Sequence, residues 1–208
     1  MIIRKVLRWP LRLVLVVALG LLLVGVPSPA AGSEQQPQEV ERLTVATEAD
    51  KGNLTPYSFR PPPGIHSELV GFVHDTLFLH PYMEEPVPWL ATEAEASEDT
   101  RTWNVTLRDD VAWHDGEEFT AEDVAFTYEY YRDGPPNRYS HHASDVPAIE
   151  SVEALDPTTV EFTCADPCPT LDLVTLSDLP ILPEHVWAEV EDPLTFDELP
   201  VGTGPYEL

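Results

Sequence analysis

Basic residues are scarce in this chain. Eleven lysines and arginines stand against thirty-seven aspartates and glutamates, a formal net charge of −26 at pH 7. Four of the eleven precede residue 33, where no acid occurs, so the rest of the chain carries seven basic residues against all thirty-seven acids. Nucleic acid or an anionic lipid surface would be repelled by that field, and no nucleic-acid partner is expected. Cysteine is nearly absent: Cys164 and Cys168, in "CADPCP", are the only two. Three residues between them exclude a Cys-x-x-Cys redox pair, and no further ligands stand nearby for a zinc site. In an exported chain the pair reads as a short structural disulfide. No apolar run exceeds the 14 residues of Leu13–Val26, short of the ~20 that a membrane-spanning helix needs. There is no G-x-S-x-G nucleophile elbow and no internal repeat.

The apolar run has a function of its own. Arg4, Lys5, Arg8 and Arg12 precede it and the small residues Ser28, Ala30, Ala31 and Gly32 follow it. That order of basic region, short apolar stretch and small-residue site is a secretory signal peptide, placed at residues 1–32 with cleavage after Ala30 to Gly32. No cysteine follows to carry a lipid anchor, and no twin-arginine pair precedes, so the chain is expected to leave the cytoplasm unfolded. It should be periplasmic, extracellular or at the cell surface. A polar linker occupies residues 33–41, and the folded part starts at residue 42.

Periodicity outlines that part. "RLTVAT" (42–47) reads as a strand. Leu69, Val70, Val73 and Leu77 follow helical spacing and predict a helix over 66–79. "TWNVTLR" alternates strictly, with Trp103, Val105 and Leu107 on one side, and predicts a half-buried strand. "SVEAL" and "TTVEFTC" flank the turn-forming "DPT" at 156–158 and predict a hairpin. "LPEHVWAEV" predicts a short helix with Pro183 in its first turn. "VGTGPYEL" reads as a glycine turn entering a strand.

One stretch concentrates chemically versatile residues: "VAWHDGEEFTAEDVAFTYEY", 111–130. Asp115-Gly116 is a tight-turn pair. Thr120 precedes Glu122 and Asp123, which suits a helix N-cap with Asp123 completing a box-like arrangement. Ala121, Val124, Ala125 and Tyr128 form an apolar stripe, with Glu122 and Glu129 on the other face. Only His114 has no evident structural task. A catalytic His114–Asp115 pair would need a nucleophile, and neighbouring residues at a strand end point to opposite faces. The motif therefore reads as architecture.

Together, "TWNVTLRDDVAWHDGEEFTAEDVAFTYEY" resembles the signature of the family 5 extracellular solute-binding proteins, which serve ABC importers of peptides and nickel. Leu107, Arg108, Trp113, Asp115, Gly116, Thr120, Ala121, Asp123 and Val124 carry the match. "LTPY", "HDTLF", "PWLATEAEASEDTRTW", "ILPEHVW" and "VGTGPY" resemble flanking family segments in order, so the resemblance spans 42–208. It implies an α/β, periplasmic-binding-protein-like (class II) lobe with a mixed sheet and flanking helices, closing over a ligand without breaking bonds. Only the N-terminal portion of such a protein is matched, so the lobe is expected to be incomplete and to expose apolar surface where a returning segment would pack. The family's acidic group that holds a peptide's α-amine belongs to sequence beyond this portion.

The resemblance also points to ligand contacts. One set lies after the first strand, at Gly64, Ile65 and His66 of "PPPGIHS", with Tyr57 nearby. Another lies in "NRYSHHAS", at Arg138, Tyr139 and His141, with His142 adjacent. Arginine can hold a carboxylate bidentately, and prolines can pre-organise backbone groups for an extended peptide. The expected partners are a short peptide or similar solute and the membrane permease. No cofactor and no protein-bound metal are expected. An exported hydrolase using paired carboxylates, a ligand-sensing subunit and a non-functional truncated receptor are the alternatives.

Overall fold

Alternation of buried and exposed side chains builds the central sheet. A computed structural model of the chain describes residues 55–57, 70–81, 85–135 and 148–207. These all fall in the second of two compact units, Met1–Val45 and Ala46–Leu208. The expected signal peptide, linker and strand at 42–47 lie outside the described residues, as do 64–66 and 138–142.

In chain order the elements are β1 (Phe78–Leu79), β2 (Val87–Pro88), β3 (Ala91–Ala96), β4 (Thr102–Leu107), α1 (Ala121–Asp133), β5 (Ile149–Asp156), β6 (Thr159–Cys164), α2 (Thr175–Asp178) and α3 (Glu184–Trp187). β1 and β2 form a two-stranded ribbon, and the larger sheet runs β3-β4-β6-β5. Each ladder among these strands is antiparallel. In β4, Trp103, Val105 and Leu107 are buried while Asn104 and Thr106 are exposed, as a period of two requires of a sheet with one face covered. The hairpin forms as expected, with Asp156 opposite Thr159. Asp156 accepts from the Thr158 N–H at 2.9 Å and from its hydroxyl at 3.1 Å, so the aspartate closes the turn through its own side chain.

Helix α1 packs on β5 and β6. Its Tyr128 meets Phe162 edge-on at 4.9 Å between ring centroids, an arrangement that adds to simple burial. No helix among the described residues is long and apolar enough to cross a membrane.

The helix expected over 66–79 is corrected at its C-terminal end. Val70 closes a helical turn, with His74 N–H donating to its carbonyl at 2.8 Å, and residues 74–77 are not helical. Phe78–Leu79 is strand. The backbone groups there bond elsewhere: Leu77 O accepts from Trp89 N and Ala91 N, and Asp75 O from Ile181 N. Val70, Val73 and Leu77 are all buried, because a turn followed by extended chain satisfies the same apolar spacing. "VGTGPY" is likewise no strand in the structure. It docks on the 72–73 backbone through Gly204 N–H to Val73 O at 2.8 Å and Tyr206 N–H to Phe72 O at 2.9 Å.

Candidate functional site

The signature motif is a structural junction. Asp123 is buried, and three segments converge on it. Its Oδ2 accepts from the Thr120 N–H at 2.9 Å, the return arm of a capping box, and from Trp113 Nε1–H at 3.3 Å. Its Oδ1 accepts from Glu184 N–H at 2.9 Å, at the first residue of α3, where backbone donors have no helical partner. Pro183 thus stands at the N-cap of α3.

His114 has a structural role after all. Its backbone N–H donates to Gly202 O at 2.9 Å. Its Nδ1 accepts from Gly202 N–H at 3.3 Å, which makes Nε2 the protonated nitrogen, donating to Gly204 O at 2.8 Å. The imidazole therefore holds 202–204 against the fold. A Cβ on Gly202 would stand 1.8 Å from Val73 O, so only glycine admits this approach. Asp115 turns away to His185 Nε2 at 2.7 Å. Burial raises the Asp115 carboxyl, but hydrogen bonds from His185 and Glu117 and the His185 charge outweigh it and hold the pKa below the usual range. Among the described residues no hydroxyl or thiol hydrogen-bonds to either ring, so neither histidine is set against a nucleophile.

Of the residues expected to touch ligand, Tyr57 is the one described. It is 5% exposed, stacked on Tyr131 at 5.9 Å, edge-on to Tyr130 at 5.7 Å and tilted against Trp187 at 5.6 Å. Trp187 in turn packs on Phe196 at 5.0 Å. Tyr130 is partly exposed, and burial followed by the Asp192 charge raises its phenol pKa. Tyr57 is thus a core residue of this aromatic cluster, with little of its ring open to solvent. Its position is informative nonetheless. In sequence, Tyr57 precedes Gly64, Ile65 and His66 by seven to nine residues, and Gly134, just past the end of α1, precedes Arg138, Tyr139 and His141 by four to seven. A Cβ on Gly134 would lie 2.6 Å from Tyr130 O and 3.0 Å from Tyr57 Oη. Tyr57 and the C-terminal end of α1, far apart in sequence, therefore meet in one aromatic cluster.

Cys164 and Cys168 are disulfide-bonded. Cys168 N–H donates to Thr100 O at 3.0 Å, and Arg101 Nη1 reaches Ala165 O at 2.6 Å, so the bridge is tied to the β3–β4 turn. No group of three or more His, Cys, Asp or Glu placed to hold a metal ion occurs among the described residues. Sequence reading overlooked two features: the convergence on Asp123, and an open trough beside Trp89. An aromatic two residues after Val87 in "VPWL" was the available signal for the second.

The match of residues 85–208 to the bacterial extracellular solute-binding proteins, family 5 (middle region), places the chain in that family. A Brucella ovis protein that bears the name of an ABC transporter peptide-binding protein is 31% identical over 163 residues, covering 76% of this chain and 30% of the relative. The fold is similar to NikZ from Campylobacter jejuni in complex with Ni(L-His), with a TM-score of 0.61, 28% identity, and coverage of 77% of this chain and 31% of that one. It is similar also to a periplasmic oligopeptide-binding protein from Thermotoga maritima, with a TM-score of 0.57, 33% identity, and coverage of 66% and 26%. The chain spans about 30% of the length of the curated relative.

Proposed function

We propose that this chain contributes to the extracytoplasmic receptor of an ABC importer, which captures short peptides or related solutes and hands them to a membrane permease. Family membership and the peptide-binding name of the Brucella relative support the class. The observation that supports the site is a contact between sequence neighbours of the two expected ligand-contacting segments: Tyr57 packs on Tyr130 and Tyr131, beside Gly134. Gly64, Ile65 and His66 would then offer backbone groups and a ring to an extended ligand. Arg138, Tyr139 and His141 would offer a carboxylate clamp and side-chain contacts.

The test is calorimetric titration of the protein, as exported by its own cell, with a tripeptide library and separately with Ni(L-His). Peptide binding that weakens about tenfold in Arg138→Ala supports the reading, since a charge-assisted bidentate contact is worth roughly that much. Binding of Ni(L-His) with no peptide would replace peptide by metal chelate as the cargo. Turnover of a peptide or glycoside would move the protein to the hydrolase class.

A further inference from the structure

His74 is sealed inside the fold with nothing to bond. It is 2% exposed, and neither ring nitrogen has a hydrogen-bond partner among the described residues, which is uncommon for a buried polar group. Both nitrogens are already covered, so a partner from further sequence has no way in while the fold stays closed. The residues on either side are engaged with a single distant segment. Val73 O accepts from Gly204 N–H at 2.8 Å, and Asp75 Oδ2 accepts from the Thr203 hydroxyl at 3.0 Å. His114 holds that same segment at Gly202 and Gly204, through its ring and its backbone. Residues 202–204 thus join the chain around His74 to His114.

A proton on His74 makes a buried charge that nothing compensates. His114, from the 113–115 loop, is itself a base and acts against that proton, while Ile181 brings only its backbone. Residues 202–204 carry no titratable side chain. Asp75 is engaged by Thr203, and Arg108 is paired with Asp110 at 2.8 and 2.9 Å. Burial accordingly lowers the His74 pKa from 6.5 to about 4, against the Ile181 backbone and with the nearby His114. His114 adds a second acid-sensitive contact. Its Nδ1 accepts from Gly202 N–H, and a proton there would set donor against donor.

The charged ring is relieved by reaching water, and the segments bonded to its neighbours differ in how readily they give way. Ile181, whose N–H donates to Asp75 O, is 1% exposed and belongs with Leu182 to the apolar core. Of residues 202–206 only the two glycines are buried, so lifting them exposes little apolar surface. We propose that His74 and His114 make the seat of residues 202–206 an acid-released latch, closed while both rings are neutral and opened, with the rest of the fold intact, when they take up protons. The open form binds the His74 proton from pH 6.5 downwards and the closed form only near 4, so acid favours opening across that window and no further below it. The proposal is independent of the solute captured.

Hydrogen exchange in the full-length protein, taken from its own cell, tests the latch at pH 7 and pH 5, each rate being compared with its intrinsic value at that pH. The Gly204 and Tyr206 amides donate to Val73 O and Phe72 O, and their protection should fall about twentyfold over this interval by the same linkage. His74→Leu should remove most of that fall. At pH 5, low urea should leave exchange at these two amides nearly unchanged while speeding it in the β4–β6 ladder, because opening a short segment exposes little surface. A urea dependence equal to the ladder's would mean that acid acts through global unfolding alone, and would overturn the latch. Protection that holds from pH 7 to pH 5, or a fall that persists in full in His74→Leu, would overturn it equally. The urea comparison needs no substitution, so it decides the matter even where the His74→Leu chain fails to fold.

Discussion

At Asp123 one carboxylate meets donors from the helix it opens, from the Trp113 indole and from the start of α3. Removing it leaves three donors without their acceptor, two of them backbone groups at helix starts. Hydrogen bonds to a charged acceptor contribute about 1.5–3 kcal/mol each and are not additive. Asp123→Ala is therefore expected to destabilise by about 3 kcal/mol. Asp123→Asn, which retains one acceptor oxygen, should cost less. Urea unfolding read as a change of midpoint at constant slope checks the order.

His74 is the other residue whose environment makes a measurable demand. It is 2% exposed, and burial, aided by the nearby His114 and opposed by the Ile181 backbone, lowers its pKa from 6.5 to about 4. The unfolded chain binds this proton at higher pH than the folded one does. Stability from this group is thus complete above 6.5, declines as pH falls from 6.5 towards 4, and is flat below. Between pH 7 and pH 5 the loss is about 2 kcal/mol by that linkage. His74→Leu should flatten the profile over this window, and an unchanged slope in the variant would show that other groups set it.

Among the elements, those set by local pattern were legible and those set by distant partners were not. The alternation of 102–107 and the Asp-Pro-Thr turn foretold β4 and the hairpin, because one buried face and one turn residue suffice to define each. The capping of α1 by Thr120 and Asp123 was equally local. The end of the 66–79 helix was misread because its backbone partners, Trp89, Ala91 and Ile181, lie far along the chain. The same holds for 202–206, whose place depends on His114 and on Phe72 and Val73. Gly202→Ala would put a methyl group 1.8 Å from Val73 O, so the segment must lift from its seat. Faster amide exchange at Gly204 and Tyr206, with little change in the β4–β6 ladder, is the expected outcome. The disulfide is a smaller effect. It closes a sequence separation of four, and the loop-entropy relation gives about 2 kcal/mol for so short a ring. The double Cys→Ala variant should therefore still fold, with a midpoint shifted by no more than that.

On the scale of the molecule, the fold supplies a relation that no single stretch of sequence contains. Tyr57 and α1's last turn share no local signal, yet they lie against each other, seven residues before Gly64 and within a few residues of Arg138 in sequence. On the proposed function, affinity gains from contacts held in register before binding, so spreading Tyr57 from α1 should weaken capture even where none of the proposed contact residues has changed. Gly134→Val makes that perturbation, since its Cβ would already stand 2.6 Å from Tyr130 O and 3.0 Å from Tyr57 Oη. Gly116→Ala is the matched control: at φ +93° with open space around it, it strains the 115–116 turn by about 1 kcal/mol without touching the cluster. Titration with the best-bound peptide should show about a tenfold loss of affinity in Gly134→Val and little in Gly116→Ala, while both lower the melting temperature. Equal affinities in the two variants would mean that the segments act independently, and that the aromatic cluster serves stability alone.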